Sequence, residues 1–153
     1  MKRAVVLTIL LSFGGAAVCF AQDPQIGTWK LNEAKSKFTP GAPKPTTVLY
    51  ETAGDNLKVT VDGTDGEGNP IHNEWVGKLD GKDYPVTGDT YSDARSYKKV
   101  NDRTLAFTNK KANKITQSGR VVVAADGKTR TVTSNGTDSK GKKFTTTAVY
   151  DKQ

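Results

Sequence analysis

The sequence predicts an all-β domain: an antiparallel, up-and-down meander that closes into a β-barrel, with a β-sandwich as the alternative architecture. Three observations lead there. From Ile26 onward, short runs of β-forming residues alternate apolar and polar side chains at period two. The breaks between runs are only a few residues long, so consecutive strands are antiparallel neighbours. Helical periodicity is confined to a single turn within Asn32 to Lys37, which the proline-rich stretch Pro40 to Pro45 ends.

The first element is not part of the barrel. Lys2 and Arg3 precede an almost unbroken apolar run, Ala4 to Phe13, then small residues and Cys19-Phe20-Ala21. This is the layout of a secretory signal peptide ending at Ala21, which places residues 22–153 outside the cytoplasm, in the periplasm or secreted. A retained membrane anchor is the weaker reading, because the run is short and Gly14-Gly15 break it. Lipid attachment at Cys19 is weaker still, because Val18 is a poor residue to precede a modified cysteine. Removal of the leader takes away the only cysteine, leaving no disulfide, thiol nucleophile or thiolate metal site. It also leaves 21 basic against 16 acidic side chains, in a length suited to one domain.

The strands follow in order. Gly27 to Leu31 is the first. Thr47 to Ala53 and Leu57 to Asp62 form a hairpin across Gly54-Asp55-Asn56. After a glycine-rich loop from Asp62 to Pro70, Ile71 to Leu79 sets Ile71, Asn73, Trp75, Gly77 and Leu79 on one face. Asp80 to Val86 reads as a turn with an aromatic rim or flap. Ala94 to Val100, Arg103 to Lys110, Lys114 to Ala124, Lys128 to Asn135 and Lys142 to Tyr150 complete nine strands. Closure pairs the first strand with the last and removes both open edges. Large aliphatic residues are scarce and many inward positions are Thr, Ser, Tyr or Asn, so the interior is either wet or thin.

The opening Ile26-Gly27-Thr28-Trp29-Lys30-Leu31 and the close Thr147-Ala148-Val149-Tyr150-Asp151-Lys152 carry a resemblance. A Gly-x-Trp first strand feeding a meander is similar to that of the calycin superfamily, the lipocalins and fatty-acid-binding proteins. The chain looks most like small exported bacterial members of that lipocalin-like group. The resemblance implies a structural role for Gly27 and Trp29, the indole plugging the narrow end under a basic side chain, Arg130 or Arg120. Three departures stand against it. Pro40 to Pro45 replaces a helical lid, and no helix follows Tyr150 before Gln153. Ala148 stands where the fatty-acid carriers place a carboxylate-holding arginine.

Catalytic residue types are sparse. His72 is the only histidine, so neither a catalytic triad nor a multi-histidine metal site can be assembled, and with Glu74 it supplies two ligands at most. Asp62, Asp65 and Glu67 do not fit a calcium loop. No cofactor, metal or catalytic residue is expected, and the domain reads as non-enzymatic. The lysines of the second half, among them Lys98-Lys99, Lys110-Lys111 and Lys142-Lys143, read as solvated turns and edges. Asn135-Gly136-Thr137 reads as a hairpin turn.

The function expected is binding of a small apolar or amphipathic molecule in, or at the mouth of, the barrel. Tyr50, Trp75, Tyr84, Tyr91, Tyr97 and Tyr150 are the candidate ligand contacts, since amphipathic rings suit mixed ligands. The alternative is an envelope or matrix interaction module with a filled barrel that holds an acidic polymer through its lysine-rich loops. Nucleic acid is disfavoured by the compartment, and stable membrane insertion is not expected once the leader is removed. Expression in a host with an export pathway should yield a protein whose N-terminus is Gln22, which intact-mass measurement checks; a retained leader would contradict the export reading.

Overall fold

Period-two alternation builds nearly all of the structure, a computed structural model that describes residues 23–153. The predicted leader, 1–21 with Cys19, lies outside the described residues. The strands are β1 (Gly27–Leu31), β2 (Lys37–Phe38), β3 (Lys44–Ala53), β4 (Asn56–Thr64), β5 (Pro70–Gly77) and β6 (Tyr84–Thr87). They continue as β7 (Ala94–Asn101), β8 (Thr104–Lys111), β9 (Lys114–Val123), β10 (Thr129–Thr137) and β11 (Lys143–Lys152). A single 3-10 turn, Glu33–Lys35, is capped by the Asn32 side chain.

The meander runs in sequence order and closes on itself. β1 pairs with β3 on one side and with β11 on the other, in the register Trp29↔Lys152, Lys30↔Asp151 and Leu31↔Tyr150. Ten strands therefore form the closed ring, and β2 continues beside β11 at Thr146 and Thr147. The link between β1 and β2 is stitched to β11 by Asn32 N–H on the Val149 carbonyl (2.8 Å) and Val149 N–H on Ser36 Oγ (2.9 Å). One closed sheet replaces the sandwich alternative, because the pairing of β1 with β11 leaves no second sheet to stack.

Three sequence expectations change. β6 is a strand, although Pro85 lacks an N–H and the run is only four residues long. β2 was not anticipated, since two residues carry no period. Asn135-Gly136-Thr137 lies within β10, and the turn comes after it at Asp138–Lys142. Gly136 there makes room instead of turning the chain: a Cβ would fall 2.6 Å from Phe144 Cζ. The Gly54-Asp55 hairpin forms as expected, with Gly54 at φ +60° joining the paired Ala53 and Asn56.

Turns alternate between the two ends, and the ends differ. At the narrow end Trp29 is fully buried and its indole N–H donates to the Gln25 carbonyl at 2.9 Å. The Gln25 side-chain amide donates in turn to the Arg103 carbonyl in the β7–β8 turn at 3.2 Å. The segment before β1 thus crosses the barrel's base and floors it. Above that floor Val48, Tyr50, Val59, Trp75, Tyr97, Leu105, Val121 and Tyr150 form the core. Replacing Trp29 by alanine should cost about 3–5 kcal/mol, the usual loss for a buried indole, read as a lower urea midpoint.

Candidate functional site

Beyond the core, at the other end, the barrel is hollow. A connected cavity of about 180 Å³ runs from Tyr50, Tyr97, Val121 and Arg130 up to a mouth formed by Pro43, Glu67, Tyr91 and Lys140. Single-ring ligands fit cavities of roughly 150 Å³, whereas drug-sized ligands need roughly 300 Å³ or more. The space therefore suits one ring, not a long acyl chain.

One wall of the cavity is a hydrogen-bonded chain that steps from strand to strand. Arg95 on β7 donates from Nη2 to Asn73 Oδ1 on β5 (3.2 Å) and from Nε to Asn109 Oδ1 on β8 (2.8 Å). Asn109 Nδ2 donates to Gln117 Oε1 on β9 (3.1 Å), and Gln117 Nε2 donates to Ser134 Oγ on β10 (2.9 Å). These residues occupy the inward phase of their strands, so alternation sets them side by side. The next strand supplies Thr146, paired in register with Ser134, and its buried Oγ1 has no partner among the described residues. The rest of the lining includes apolar side chains, Val48 on β3, Val61 on β4, Val132 on β10 and Phe144 on β11.

Asp89 secures the mouth. Its carboxylate accepts from Ser92 Oγ, from Tyr91 N–H at 2.8 Å and from Arg95 Nη2 at 3.3 Å, with both ends of the ion pair largely buried. Across the opening, Lys140 pairs with Glu67 at 3.1 Å. Burial, helped by the nearby charge of Asp65, pushes the Tyr91 phenol above its ordinary range. It therefore stays a neutral, amphipathic group at the rim.

At the bottom of the cavity stands Arg130, 2% exposed. Its guanidinium carbon lies 4.9 Å from the Trp29 ring, 4.7 Å from Tyr50 and 4.9 Å from Tyr150. Arg120, the other residue considered for this place, is exposed on the outer face. Three ring faces offer a desolvated cation about 0.5–2 kcal/mol each. Burial pushes the Tyr150 phenol up to about 12 against the opposing pull of Arg130, and burial beside Tyr97 raises Tyr50 further. Both remain neutral rings and neither becomes a counter-ion.

The six candidate contacts separate by depth. Tyr50, Tyr91 and Tyr97 line the cavity. Trp75, Tyr84 and Tyr150 do not: Trp75 packs edge-on against Tyr97 at 4.8 Å and donates to the Arg95 carbonyl at 2.8 Å. Tyr84 packs on Trp75 and donates to Asp80 at 3.0 Å, and Tyr150 donates to the Pro45 carbonyl at 3.0 Å. Gly27, at φ +125°, opens β1 under Lys152, whose Nζ lies 5.1 Å from the Trp29 ring. Ala148 is buried on β11, two residues before Tyr150. Asn73, Arg95, Asn109, Gln117 and Thr146 were not singled out from sequence, although their inward phase was readable.

Elsewhere the surface is ordinary. His72 Nδ1 meets Asp62 at 2.6 Å with both side chains more than half exposed, and Glu74 pairs with Lys58 at 2.8 Å. Among the described residues, no helix is long and apolar enough to cross a membrane.

No protein-family model matches the sequence, and no curated protein matches it. Two solved structures are similar to it in barrel form. One is a redesigned β-barrel, b11L5F_LGL, with 14% identity over 85% of this chain and 92% of that one, at a TM-score of 0.43. The other is a redesigned β-barrel, mFAP1, bound to DFHBI, with 18% identity over 86% of this chain and all of that one, at a TM-score of 0.43.

The polar wall is testable by itself. Asn109→Ala strands both Arg95 Nε and Gln117 Oε1 and should cost about 2–4 kcal/mol in urea unfolding. Asn135→Ala, exposed on the outer face of β10, should stay within about 0.5 kcal/mol.

Proposed function

We propose that this chain is an exported, non-enzymatic binding protein for a small, partly apolar molecule, working in the periplasm or outside the cell as a lipocalin-like, calycin-type barrel. One observation carries the reading: a single-ring-sized cavity that joins an apolar lining to a polar wall, the wall ending in a Thr146 hydroxyl with no partner among the described residues. An interior meant only for stability would be filled to native packing density and would leave no polar atom waiting. A ligand with one polar edge and one apolar face satisfies both walls at once.

The export part of the reading rests on the apolar leader before Gln22, and the calycin part on the Trp29 floor beneath Arg130. The non-enzymatic part rests on the position of His72. The one histidine sits on the outer surface, paired with Asp62, and cannot serve a base inside the barrel. The six-ring list of sequence candidates reduces to Tyr50 and Tyr97 at depth and Tyr91 at the rim.

Soaking the purified protein in a small-molecule cell extract, washing, and analysing the denatured protein by mass spectrometry tests the reading. A retained compound of one- or two-ring size is expected. Its loss is expected in Val132→Phe, which fills the apolar wall. An empty barrel after extract exposure, with lysine-rich turns that instead retain an acidic polymer in a salt-sensitive manner, would contradict it.

A further inference from the structure

Arg130 is more than the lid on Trp29. Its Nε and Nη1 are buried with no hydrogen-bond partner among the described residues. None of the described ion pairs reaches it, in contrast to Arg95, which meets Asp89, Asn73 and Asn109. Arginine keeps its charge in proteins, and taking it out of water costs several kcal/mol. The three ring faces offset part of that cost, but a π face satisfies the charge, not the in-plane N–H bonds. Two arginines therefore line one cavity: Arg95, bonded through Nε and Nη2, and Arg130, whose Nε and Nη1 have no partner among the described residues.

We propose that the floor of the cavity is a carboxylate receptor, and that the ligand is a small ring-bearing acid held acid-down on Arg130. The inference rests on the binding reading above and adds the ligand's class. Four features favour an acid over a neutral molecule. Arg130 lines the cavity, so an oxyanion entering from the mouth comes up against its side chain, and a shift of the groups that now cover Nε and Nη1 brings those donors to it. Tyr50 and Tyr150, the nearest ionisable neighbours, are kept neutral by burial and do not supply the missing charge. A planar carboxylate is the natural partner of the guanidinium fork, and in a desolvated pocket such a bond is stronger than a neutral one. Finally, the walls directly above, Val48, Val121 and Val132, are apolar and suit the body of a ring.

Benzoate and benzamide, of nearly equal size and shape, separate the charge from the fit. Calorimetric titration of the purified protein should show benzoate binding at least tenfold tighter than benzamide. That preference should collapse in Arg130→Met and be only partly kept in Arg130→Lys, which retains a charge without the fork. Should Arg130→Met fail to fold, the benzoate-to-benzamide ratio of the unaltered protein still decides, together with a benzoate-induced shift of the Arg130 Nε–H resonance. Equal affinity for the two would overturn the acid receptor and leave the binding reading standing. A benzoate preference that survives Arg130→Met would also overturn it, because Arg95 would then be the receptor. Failure of both compounds to bind at millimolar concentration would overturn the acid receptor, while the extract soak decides the binding reading by itself.

Discussion

Closure of the sheet is the constraint from which the rest follows. Once β1 has paired with both β3 and β11, the inward side chains of ten strands share one compartment. None of them can swing out to solvent without breaking the ladder. The chain has few large aliphatic residues with which to fill that space. It divides the interior by depth instead. Aromatic rings and valines pack the narrow end, and the wide end carries polar side chains that must satisfy one another. The chain of bonds from Asn73 to Ser134 is the result. Arg95, its second member, ties β5 to β7 across the short β6.

The boundary between the two halves is Arg130. A cation there is a poor choice for stability alone, since an apolar side chain of similar volume would pack against Trp29, Tyr50 and Tyr150 without a desolvation penalty. The three rings make it tolerable, and the open N–H groups make it useful. The same residue therefore closes the floor beneath and chemically defines the space above. Asp89 gives the mouth a similar double character. It organises the loop after β6 through Tyr91 and Ser92 while neutralising Arg95, which leaves Arg130, among the described residues, as a cavity cation with buried donors that have no partner.

Much of the barrel was legible in the sequence, and the reasons for the exceptions are physical. Runs such as Leu57 to Asp62 or Lys142 to Tyr150 alternate because one face is buried and the other wet. The resemblance carried by the Gly-x-Trp opening implied a basic residue over Trp29, although the choice between Arg120 and Arg130 needed the register of β10. The two short strands were not legible, because Lys37-Phe38 has no period and Pro85 argues against a strand. Depth was not legible either. Trp75, Tyr84 and Tyr150 share the chemistry of Tyr50, Tyr91 and Tyr97, and nothing local says which rings meet the cavity. The polar wall was foreshadowed by Thr, Ser and Asn at inward positions, but a wet interior and a bonded chain look alike until strand order sets Asn109 beside both Arg95 and Gln117.

The most direct measurement is a backbone amide shift map recorded while a single-ring ligand is titrated into the labelled protein. Changes clustered at the inward positions Tyr97, Asn109, Val121, Arg130 and Thr146, with His72 and Lys142-Lys143 unmoved, are the result expected of a binding interior. Changes confined to the exterior lysine turns, or an interior unmoved at saturating ligand, would contradict it.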